Sequence, residues 1–328
     1  MSKQTKEPKQ FDVDVKVRNF CGKSKLFFLI SLALIVISFL STFTGVDVAL
    51  EFKGGTIITY SYSGEMDENT IESEIGALVG SSVNAQGGES LDSDTKTLSL
   101  SFSSNEGLTI ERQAEVTDKI QELYPDSELE LLDANDVDAT SGSEFFAKCI
   151  VAAIFAALIL IVYIALRFKQ ISGWSAGVCA VLGLLSTLIV TYGGVVLCGF
   201  EIDSNFMAVI LTLLGYAIND TIVIYDRIRE NQTLLPGMQV NDLVNISSSQ
   251  SLRRTLRTSI TTFSSMLVVT IVSIAMGLTS ILSFSVPMMI GIVMGTYNSI
   301  CFVPSLWVWW QKKRGISVLQ PVKKKAKV

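Results

Sequence analysis

The sequence has no histidine, and this absence restricts the chemistry that the chain can perform. A proton relay near neutral pH would have to use carboxylates, hydroxyls and water, because imidazole is the side chain whose ordinary pKa lies in that range. Walker loops, Cys-x-x-Cys pairs, H-x-x-x-H pairs and G-x-S-x-G elbows are also absent. The sequence therefore predicts no hydrolytic or redox catalysis, no metal site and no cofactor.

Cysteine is scarce, with five residues in the whole chain. None of them falls in the polar stretch 45–148, which the charge pattern below places on the oxidising side of a membrane. The five lie in or beside apolar segments: Cys21, Cys149, Cys179, Cys198 and Cys301. No disulfide framework is predicted.

Charged residues make up only 17% of the 328 residues, whereas 49% are hydrophobic and the mean hydropathy is +0.45. This composition is too apolar for a soluble domain. Since about 20 apolar residues cross a bilayer as one helix, each long apolar run is a candidate span. We identify six of them: 25–44, 146–166, 172–193, 203–225, 258–277 and 284–310.

The chain is therefore predicted to be a polytopic α-helical membrane protein with six transmembrane helices. The first span has a long polar segment before it and no small-residue cleavage site after it, so we interpret it as an uncleaved anchor. The predicted parts are a basic N-tail (1–24), the first helix (25–44), a polar domain (45–145), helices two to six (146–311) with a cytoplasmic loop (226–257), and a basic C-tail (312–328).

Lysine and arginine predict the orientation of the spans. They are concentrated before the first span, after the second, between the fourth and fifth, and after the sixth, whereas the turns near 194–202 and 278–283 have neither. The positive-inside rule therefore places both termini in the cytoplasm. Residues 45–148 carry 22 acidic and five basic residues, and we expect them on the other side.

The polar domain has the alternation and helical spacing of a small α+β fold. Strands are predicted at Thr56–Ser63, near Ser82–Gln86, at Thr97–Phe102 and at Glu128–Leu132, with helices at Asp67–Val79 and Ile110–Leu123. The order β-α-β-β-α-β is that of the ferredoxin-like arrangement. Such a fold says little about function. The acidic residues repel or steer a partner, bind cations or form a solubilising surface, and we favour the last interpretation.

Asp220 is the most informative residue, because it lies inside the fourth apolar run. A carboxylate in mid-membrane costs about 2.5–3.5 kcal/mol on insertion scales, so it persists where it faces a partner or water. Thr212, Tyr216, Asn219 and Asp220 recur at helical spacing, which predicts one polar, inward-facing side of the helix. Asp220 is also about 9 Å from the charged end at Asp226, a depth suited to an ion relay.

The residues around Asp220 form a long motif, Gly215–Asn231 (GYAINDTIVIYDRIREN). It closely resembles the fourth-span signature of the SecF family of protein-export membrane subunits, in the resistance-nodulation-division superfamily. Further matching motifs are Arg254–Leu256, Thr258–Ser259, Thr261–Thr262, Gly291, Gly295–Ile300 and Phe52–Thr56. The chain departs from the family pattern at Glu51 and at Val137–Gly142, so no role is transferred to those positions.

The resemblance implies a multi-pass subunit of a bacterial or archaeal cytoplasmic membrane that promotes protein export. It implies SecD as a partner, association with the SecYEG channel, the translocating polypeptide as the load, and YajC and YidC as further partners. No nucleic acid is expected. The coupling ion is H⁺ or Na⁺, and the residues do not distinguish them. On this hypothesis Asp220 takes up and releases the ion, Asn219 and Tyr216 orient it, and Thr221 lines its path.

Other interpretations remain for individual residues. Asp220 is alternatively a structural ion pair or a helix-packing contact with the partner subunit, and Arg254 is either a relay or interface residue or a topology anchor. Thr258, Ser259, Thr261 and Thr262 either face Asp220 or bond their own helix carbonyls. Gly291, Gly295 and Ser299 recur every four residues, which favours close helix packing.

Two other functions fit the architecture. One is an ion-driven exporter of small molecules, since that superfamily shares the plan of an anchor, an exposed domain and five close spans. The other is a passive scaffold of the translocase. A neutral residue tolerated at position 220 would favour the scaffold.

Overall fold

The computed structural model describes residues 16–80, 83–89, 96–102, 108–125, 127–137, 139–276 and 278–319. Within these ranges six helices are long and apolar enough to cross a membrane: Cys21–Ser41, Gly142–Arg167, Gly173–Leu197, Ser204–Leu234, Val240–Ala275 and Ile281–Lys313. The prediction of a polytopic helical protein with six spans is confirmed.

The elements follow one another along the chain as a membrane helix, a small α+β domain and five further spans. They are α1 (Ser24–Ser41), α2 (Leu50–Lys53), β1 (Gly55–Tyr62), α3 (Glu68–Val79), β2 (Val83–Glu89), β3 (Lys96–Phe102), α4 (Ile110–Leu123), β4 (Glu130–Val137), α5 (Ala139–Arg167), α6 (Gly173–Leu197), α7 (Ser204–Leu234), α8 (Val240–Ala275), α9 (Thr279–Tyr297), a π-helical turn (Asn298–Phe302) and α10 (Val303–Lys313).

The domain between the first two spans is a four-stranded antiparallel sheet in the order β2-β3-β1-β4. Alternate residues of the central strands, such as Ile58 and Leu100, pack beneath the apolar faces of α3 and α4, including Ile75 and Ile120. The predicted order of strands and helices within this domain is confirmed. Helix α3 begins where the Asp67 carboxylate caps the Asn69 amide.

Two strand boundaries differ from the prediction. Strand β4 runs to Val137 rather than ending at Leu132, because it pairs with β1 as far as Gly55↔Val137. Its exposed polar residues hide the strand from periodicity, since they lack an alternating apolar face. Strand β2 likewise continues through Gly87 and Gly88 to Glu89, paired with β3, instead of stopping before them.

The segment that enters the domain from α1 is fastened to the turn between α6 and α7. The Ala49 amide donates to the Ile202 carbonyl (3.0 Å), and the Ile202 amide donates to the Asp47 carbonyl (2.8 Å). The Phe52 ring lies 5.8 Å from the Phe145 ring and stacks on it. We call residues 46–53 the strap, because they connect the turn before α7 directly to β1.

Helix α8 is longer than predicted and replaces much of the loop expected at 226–257. Helix α7 continues to Leu234, and α8 begins at Val240 after a short turn. The first half of α8 is too polar to be recognised from the sequence as part of a membrane span, yet serines such as Ser247 and Ser248 are fully buried there.

Parts of both predicted tails pack on the same end of the bundle. The Arg18 amide donates to the Ser249 hydroxyl (2.9 Å) and the Cys21 amide to Asn245 Oδ1 (2.9 Å). The Val240 amide donates to the Ser317 carbonyl (2.9 Å), and Leu319 is buried. The first half of α8 is therefore held between the two ends of the chain.

The sixth span is interrupted by the π-helical turn Asn298–Phe302. Asn298 is buried there, and its Nδ2 atom donates to the Gly183 carbonyl (3.0 Å) and to the Thr187 hydroxyl (2.8 Å) of α6. Single π-helical turns inside α-helices are frequent at functional sites. This one lies beside the segment of α7 that holds Asp220 and Thr221.

Candidate ion-coupling site

Asp220 is buried between α7 and α8, with 6% of its surface exposed. Its carboxylate faces α8, where the hydroxyl of Ser259 and the guanidinium of Arg254 lie near it, the guanidinium beyond 4.0 Å. The buried hydroxyl of Thr255 lies on the same side and has no hydrogen-bond partner among the described residues. The Ser259 hydroxyl lies 2.7 Å from the hydroxyl of Thr296 on α9. The carboxylate thus lies near one unpaired cation and a short series of hydroxyls at the junction of three spans.

Thr221 points to the other side of α7. Its hydroxyl lies 3.0 Å from the Ser299 hydroxyl, which donates to the Ala217 carbonyl (3.1 Å). Thr221 is buried, so it joins α7 to the π-helical turn instead of facing an open path. The structure therefore separates Thr221 from the polar groups around Asp220.

The polar side of α7 is divided, which corrects the prediction that all of it faces inward. Asp220 is buried, but Thr212 and Asn219 lie on the surface of the chain. A Cβ atom added at Gly215 would meet no atom within 4 Å, so this part of the helix is open. Tyr216 lies at the border, with a buried hydroxyl that has no partner within the described ranges. We call Thr212, Gly215 and Asn219 the open stripe.

The hydroxyl residues of α8 are divided as well. Thr258 and Thr261 are exposed and Thr262 is half-buried, and each bonds a carbonyl of its own helix at 2.8–3.2 Å. Ser259 faces Asp220. Thr255, one turn before Ser259, also faces Asp220, and we did not predict it as a site residue. Its place four residues before Ser259 in the matched motif is the signal that would have found it.

A cavity of about 500 Å³ opens beside Arg254 at the charged end of α7. Its wall includes Asp226, which pairs with Arg167 (3.3 Å) and Arg229 (2.6 Å). Arg227 pairs with Glu230 (2.7 Å). Arg254 has no salt-bridge partner within 4.0 Å among the described residues. Of the arginines in the wall of this cavity, it is therefore the one whose charge is available to Asp220.

The small residues of the sixth span lie against α7. A Cβ atom at Gly291 would lie 2.2 Å from Leu213 Cδ1, and one at Gly295 would lie 3.1 Å from Ala217 Cβ. Ser299 bonds the Ala217 carbonyl, as described above. Gly291, Gly295 and Ser299 therefore form one continuous contact that fixes the back of α7, while its front meets α8.

Comparison with known proteins agrees with this architecture. The family model "Protein export membrane protein SecD/SecF, C-terminal" matches residues 115–313. The protein translocase subunit SecF of Petrotoga mobilis is 32% identical over 304 residues, which cover 90% of this chain and 97% of the relative. That of Calditerrivibrio nitroreducens is 32% identical over 286 residues, which cover 86% of this chain and 90% of the relative.

The crystal structure of SecDF, a translocon-associated membrane protein from Thermus thermophilus, has a TM-score of 0.75 and 27% identity. The match covers 93% of this chain and 40% of that one, so this chain spans less than half of the SecDF chain. A SecDF structure in a super-membrane-facing form has a TM-score of 0.65, 25% identity and the same 40% coverage. The resemblance of the sequence motifs is confirmed, and the chain belongs to the SecF family of protein translocase subunits.

Proposed function

We propose that the chain is an accessory subunit of the Sec protein translocase that uses the transmembrane ion gradient to promote late, ATP-independent steps of protein export. The ion-driven part of this proposal rests on Asp220, a buried carboxylate in the middle of a span and on the side that faces Arg254. An intramembrane ionisable residue is costly and marks an ion pathway by default. One charge moved through 100 mV supplies about 2.3 kcal/mol, so a few ions per cycle suffice for mechanical work.

The contacts of Asp220 give this proposal a mechanism. With the carboxylate charged, its attraction to Arg254 holds α7 against α8. When H⁺ or Na⁺ binds, the carboxylate is neutralised, that attraction is lost, and the two helices can shift. The cavity beside Arg254 offers the ion a route from the charged end. The strap then carries a displacement of α7 into β1.

The proposed setting is a bacterial or archaeal cytoplasmic membrane with both termini in the cytoplasm. Lysine and arginine at one end of the bundle support that orientation. The domain on β1–β4 then lies outside, where it would meet the emerging polypeptide. Its strand order, with both helices packed on one face, supports the ferredoxin-like assignment.

SecD is the proposed partner, because the matching crystal structures are of SecDF chains that this chain covers by 40%. The open stripe supports a helical partner. Thr212 and Asn219 are polar groups on the surface of a membrane span, and Gly215 leaves room for a close approach. SecYEG, YajC and YidC are proposed as further members of the assembly from family membership alone.

Gradient-dependent secretion in membrane vesicles tests the ion-coupling role. We expect Asp220→Asn to abolish the stimulation of export by the gradient while the complex still assembles. The matched control is Glu144→Gln, which removes an exposed carboxylate of α5 that lies in a surface ion pair with Lys148 and outside the cavity beside Arg254. Imposed proton or sodium gradients then identify the ion.

If Asp220→Asn exports normally, the carboxylate is structural and the chain is a passive scaffold. A loss of the assembled complex in Asp220→Asn, with Glu144→Gln still assembled, would also assign Asp220 to structure. The remaining alternative is an exporter of small molecules. Deletion of such an exporter would leave protein secretion unchanged, whereas deletion of a translocase subunit would reduce it.

The open stripe has its own test. Gly215→Leu would fill the space against which a partner helix packs, so we expect SecD co-purification to fall while the isolated chain keeps its stability. Undiminished co-purification would place the SecD contact elsewhere on the bundle.

A further inference from the structure

Helix α9 has no charged side chain, yet it packs against both helices of the ion-coupling site, α7 and α8. On its side toward α8, the Thr296 hydroxyl lies 2.7 Å from the Ser259 hydroxyl. Ser259 is buried and lies near the Asp220 carboxylate. A single intervening hydroxyl therefore separates the carboxylate of α7 from a polar group of α9.

The Thr296 hydroxyl has two close oxygen neighbours but only one hydrogen to give. It lies 2.7 Å from the Ile292 carbonyl of its own helix and 2.7 Å from the Ser259 hydroxyl. A threonine hydroxyl donates one hydrogen bond and accepts others. When Thr296 donates to Ile292, the hydrogen between Thr296 and Ser259 must come from Ser259.

Ser259 is under the same restriction, because its one hydrogen has two acceptors to choose from, Thr296 and Asp220. A charged carboxylate only accepts, and hydrogen bonds to charged groups are stronger than those between neutral groups. With Asp220 charged, Ser259 is drawn to the carboxylate, and Thr296 must donate to Ser259 and leave Ile292. When an ion neutralises Asp220, Ser259 can donate to Thr296, and Thr296 returns to Ile292.

The bond from Thr296 to Ile292 affects the shape of α9. A threonine hydroxyl that bonds the carbonyl four residues earlier often bends its helix. Thr296 lies two residues before Asn298, where the π-helical turn begins and where the Asn298 amide donates to Gly183 and Thr187 of α6. A change of bend at Thr296 would therefore reach the contact between the sixth span and α6.

We propose that Thr296 is a positioning residue that transmits the charge state of Asp220 to the sixth span, through a reversal of the hydrogen bonds along the Ser259 and Thr296 hydroxyls. Each hydroxyl only rotates about its C–O bond, so no covalent bond forms or breaks. The inference rests on the ion-coupling role given under the proposed function, and it adds α9 to the helices that respond. H⁺ and Na⁺ act alike here, because either one neutralises the carboxylate.

Infrared difference spectra of the complex with SecD in nanodiscs, recorded with and without the coupling ion, test the reversal. The bands of Asp220 are those that Asp220→Asn removes. Thr296→Val keeps the side-chain shape but removes the hydroxyl, so Ser259 stays bonded to Asp220 in both states. We expect the Asp220 bands of the ion-loaded Thr296→Val complex to shift from their wild-type positions, whereas Thr296→Ser, which keeps the hydroxyl, should retain them.

The chain offers a matched control at the other end of the same two helices. The Thr270 hydroxyl of α8 is buried, bonds the Met266 carbonyl of its own helix (2.9 Å) and lies 3.0 Å from the Ser285 hydroxyl of α9. At 1.5 Å per residue, Thr270 lies about 16 Å beyond Ser259 along α8. Thr270→Val removes the same kind of interhelical contact, and we expect it to leave the Asp220 bands and gradient-stimulated export unchanged.

Secretion assays in membrane vesicles measure the consequence for coupling. One hydrogen bond of ordinary net strength changes the balance between two states by about two- to tenfold. We expect Thr296→Val to lower gradient-stimulated export by about this factor and Thr296→Ser to restore most of it. Ser259→Ala combined with Thr296→Val should be no worse than Ser259→Ala alone, because both changes interrupt the same series of bonds.

Equal losses of export in Thr296→Val and Thr270→Val, without a shift of the Asp220 bands, would overturn the proposal and leave Thr296 as a packing contact. Additive losses in the double variant would overturn it as well. Normal export by Asp220→Asn would instead remove the ion-coupling role itself. If Asp220→Asn loses coupling but Thr296→Val keeps it, the proposed function stands and this inference fails.

Discussion

Gly291 and Gly215 lie on neighbouring helices in opposite surroundings. The Cβ position of Gly291 lies 2.2 Å from a methyl group of Leu213, which is itself buried, whereas that of Gly215 is open. A methyl group added at Gly291 would therefore clash with α7, whereas one added at Gly215 would meet no atom of this chain. Substitutions at Gly291 test packing within the chain, and substitutions at Gly215 test packing against another chain.

We predict that Gly291→Ala destabilises the isolated chain by about 1–3 kcal/mol, the usual cost of overpacking a core. Gly215→Ala, the matched change, should leave its stability unaltered. Thermal melts of the detergent-purified chain, followed by size-exclusion fluorescence, measure both. Equal melting temperatures for the two variants would show that α9 can move away from α7 at little cost.

Asp67 gives a prediction about pH at the start of α3. The Thr70 hydroxyl donates to its carboxylate, as does the Asn69 amide, and these bonds hold the pKa of Asp67 below its ordinary value of 3.8. A depressed pKa in the folded state means that the ionised cap stabilises the helix above the unfolded pKa. This contribution is lost as the pH falls through the folded pKa.

We therefore expect Asp67→Ala to weaken the hydrogen-exchange protection of α3 at pH 7 and to differ less from the wild type near pH 3. Exchange measured at both pH values, with intrinsic rates corrected, provides the comparison. Thr109 caps α4 with a hydroxyl that does not titrate here, so Thr109→Ala serves as the pH-independent control. A constant difference for Asp67→Ala at the two pH values would contradict the charge argument.

At the residue level the sequence could identify Asp220 but not its surroundings. Composition and span length are enough to mark a carboxylate in mid-membrane. Periodicity places Thr212, Asn219 and Asp220 within about a third of a turn, so it cannot show that a neighbouring helix covers one edge of that sector and leaves the other open. Which edge is covered depends on the packing of α8, which the sequence does not specify.

Among the elements, the strap is the shortest connection between α7, which holds Asp220, and the sheet. It forms backbone bonds with Ile202 just before α7, and it is followed by Gly54 and Gly55, which have φ values of 84° and 142°. A Cβ atom at Gly55 would lie 2.0 Å from the Phe102 carbonyl, so only glycine fits where β1 begins. The strap therefore enters the sheet without a flexible linker.

We predict that inserting two glycines between Lys53 and Gly54 abolishes gradient-stimulated export, because slack in the strap absorbs the movement of α7. The same insertion after Gly64, where an added Cβ atom would meet nothing within 4 Å, should preserve export. Secretion assays on both insertion variants, normalised to the amount of each protein in the membrane, measure the difference. Normal export by the first variant would mean that α5, the other connection to the domain, carries the coupling.

The elements that the sequence predicted well are those with a strong period or a long apolar run. The strands β1 and β3 and the helices α3 and α4 have clear apolar faces. The first half of α8 and the end of β4 were missed, because serines in one and acids in the other give no apolar period. Their conformation is set by partners: α7 and both chain ends for α8, and β1 for β4.

For the whole molecule, the orientation can be tested with the native cysteines. Cys198 is exposed at the end of α6 in a turn without lysine or arginine. In a chain with Cys198 as the only cysteine, a membrane-impermeant maleimide added to spheroplasts should label it. Arg314→Cys in the cysteine-free chain should react only after permeabilisation, and the reverse result would invert the proposed topology.

Hydropathy and charge gave the membrane plan of the whole molecule because bilayer thickness imposes a length on every span. They could not show that the described parts of both ends pack against α8. That packing rests on single apolar residues, Phe20 and Leu319, and on backbone bonds to Asn245 and Ser317. Such contacts leave no periodic signal in the chain.

The π-helical turn Asn298–Phe302 holds one residue more than the α-helical turn that it replaces. Removing one residue there would restore a regular α-helix and leave everything beyond it facing nearly the same way. Removing one residue between Phe302 and Trp307 would instead rotate the rest of the span by about 100°. Trp307, which packs on Tyr225, and Gln311, whose amide donates to the Ser175 hydroxyl (3.0 Å), would then turn away from their partners. The π-helical turn is therefore the place where the sixth span can lose a residue and keep its far end engaged.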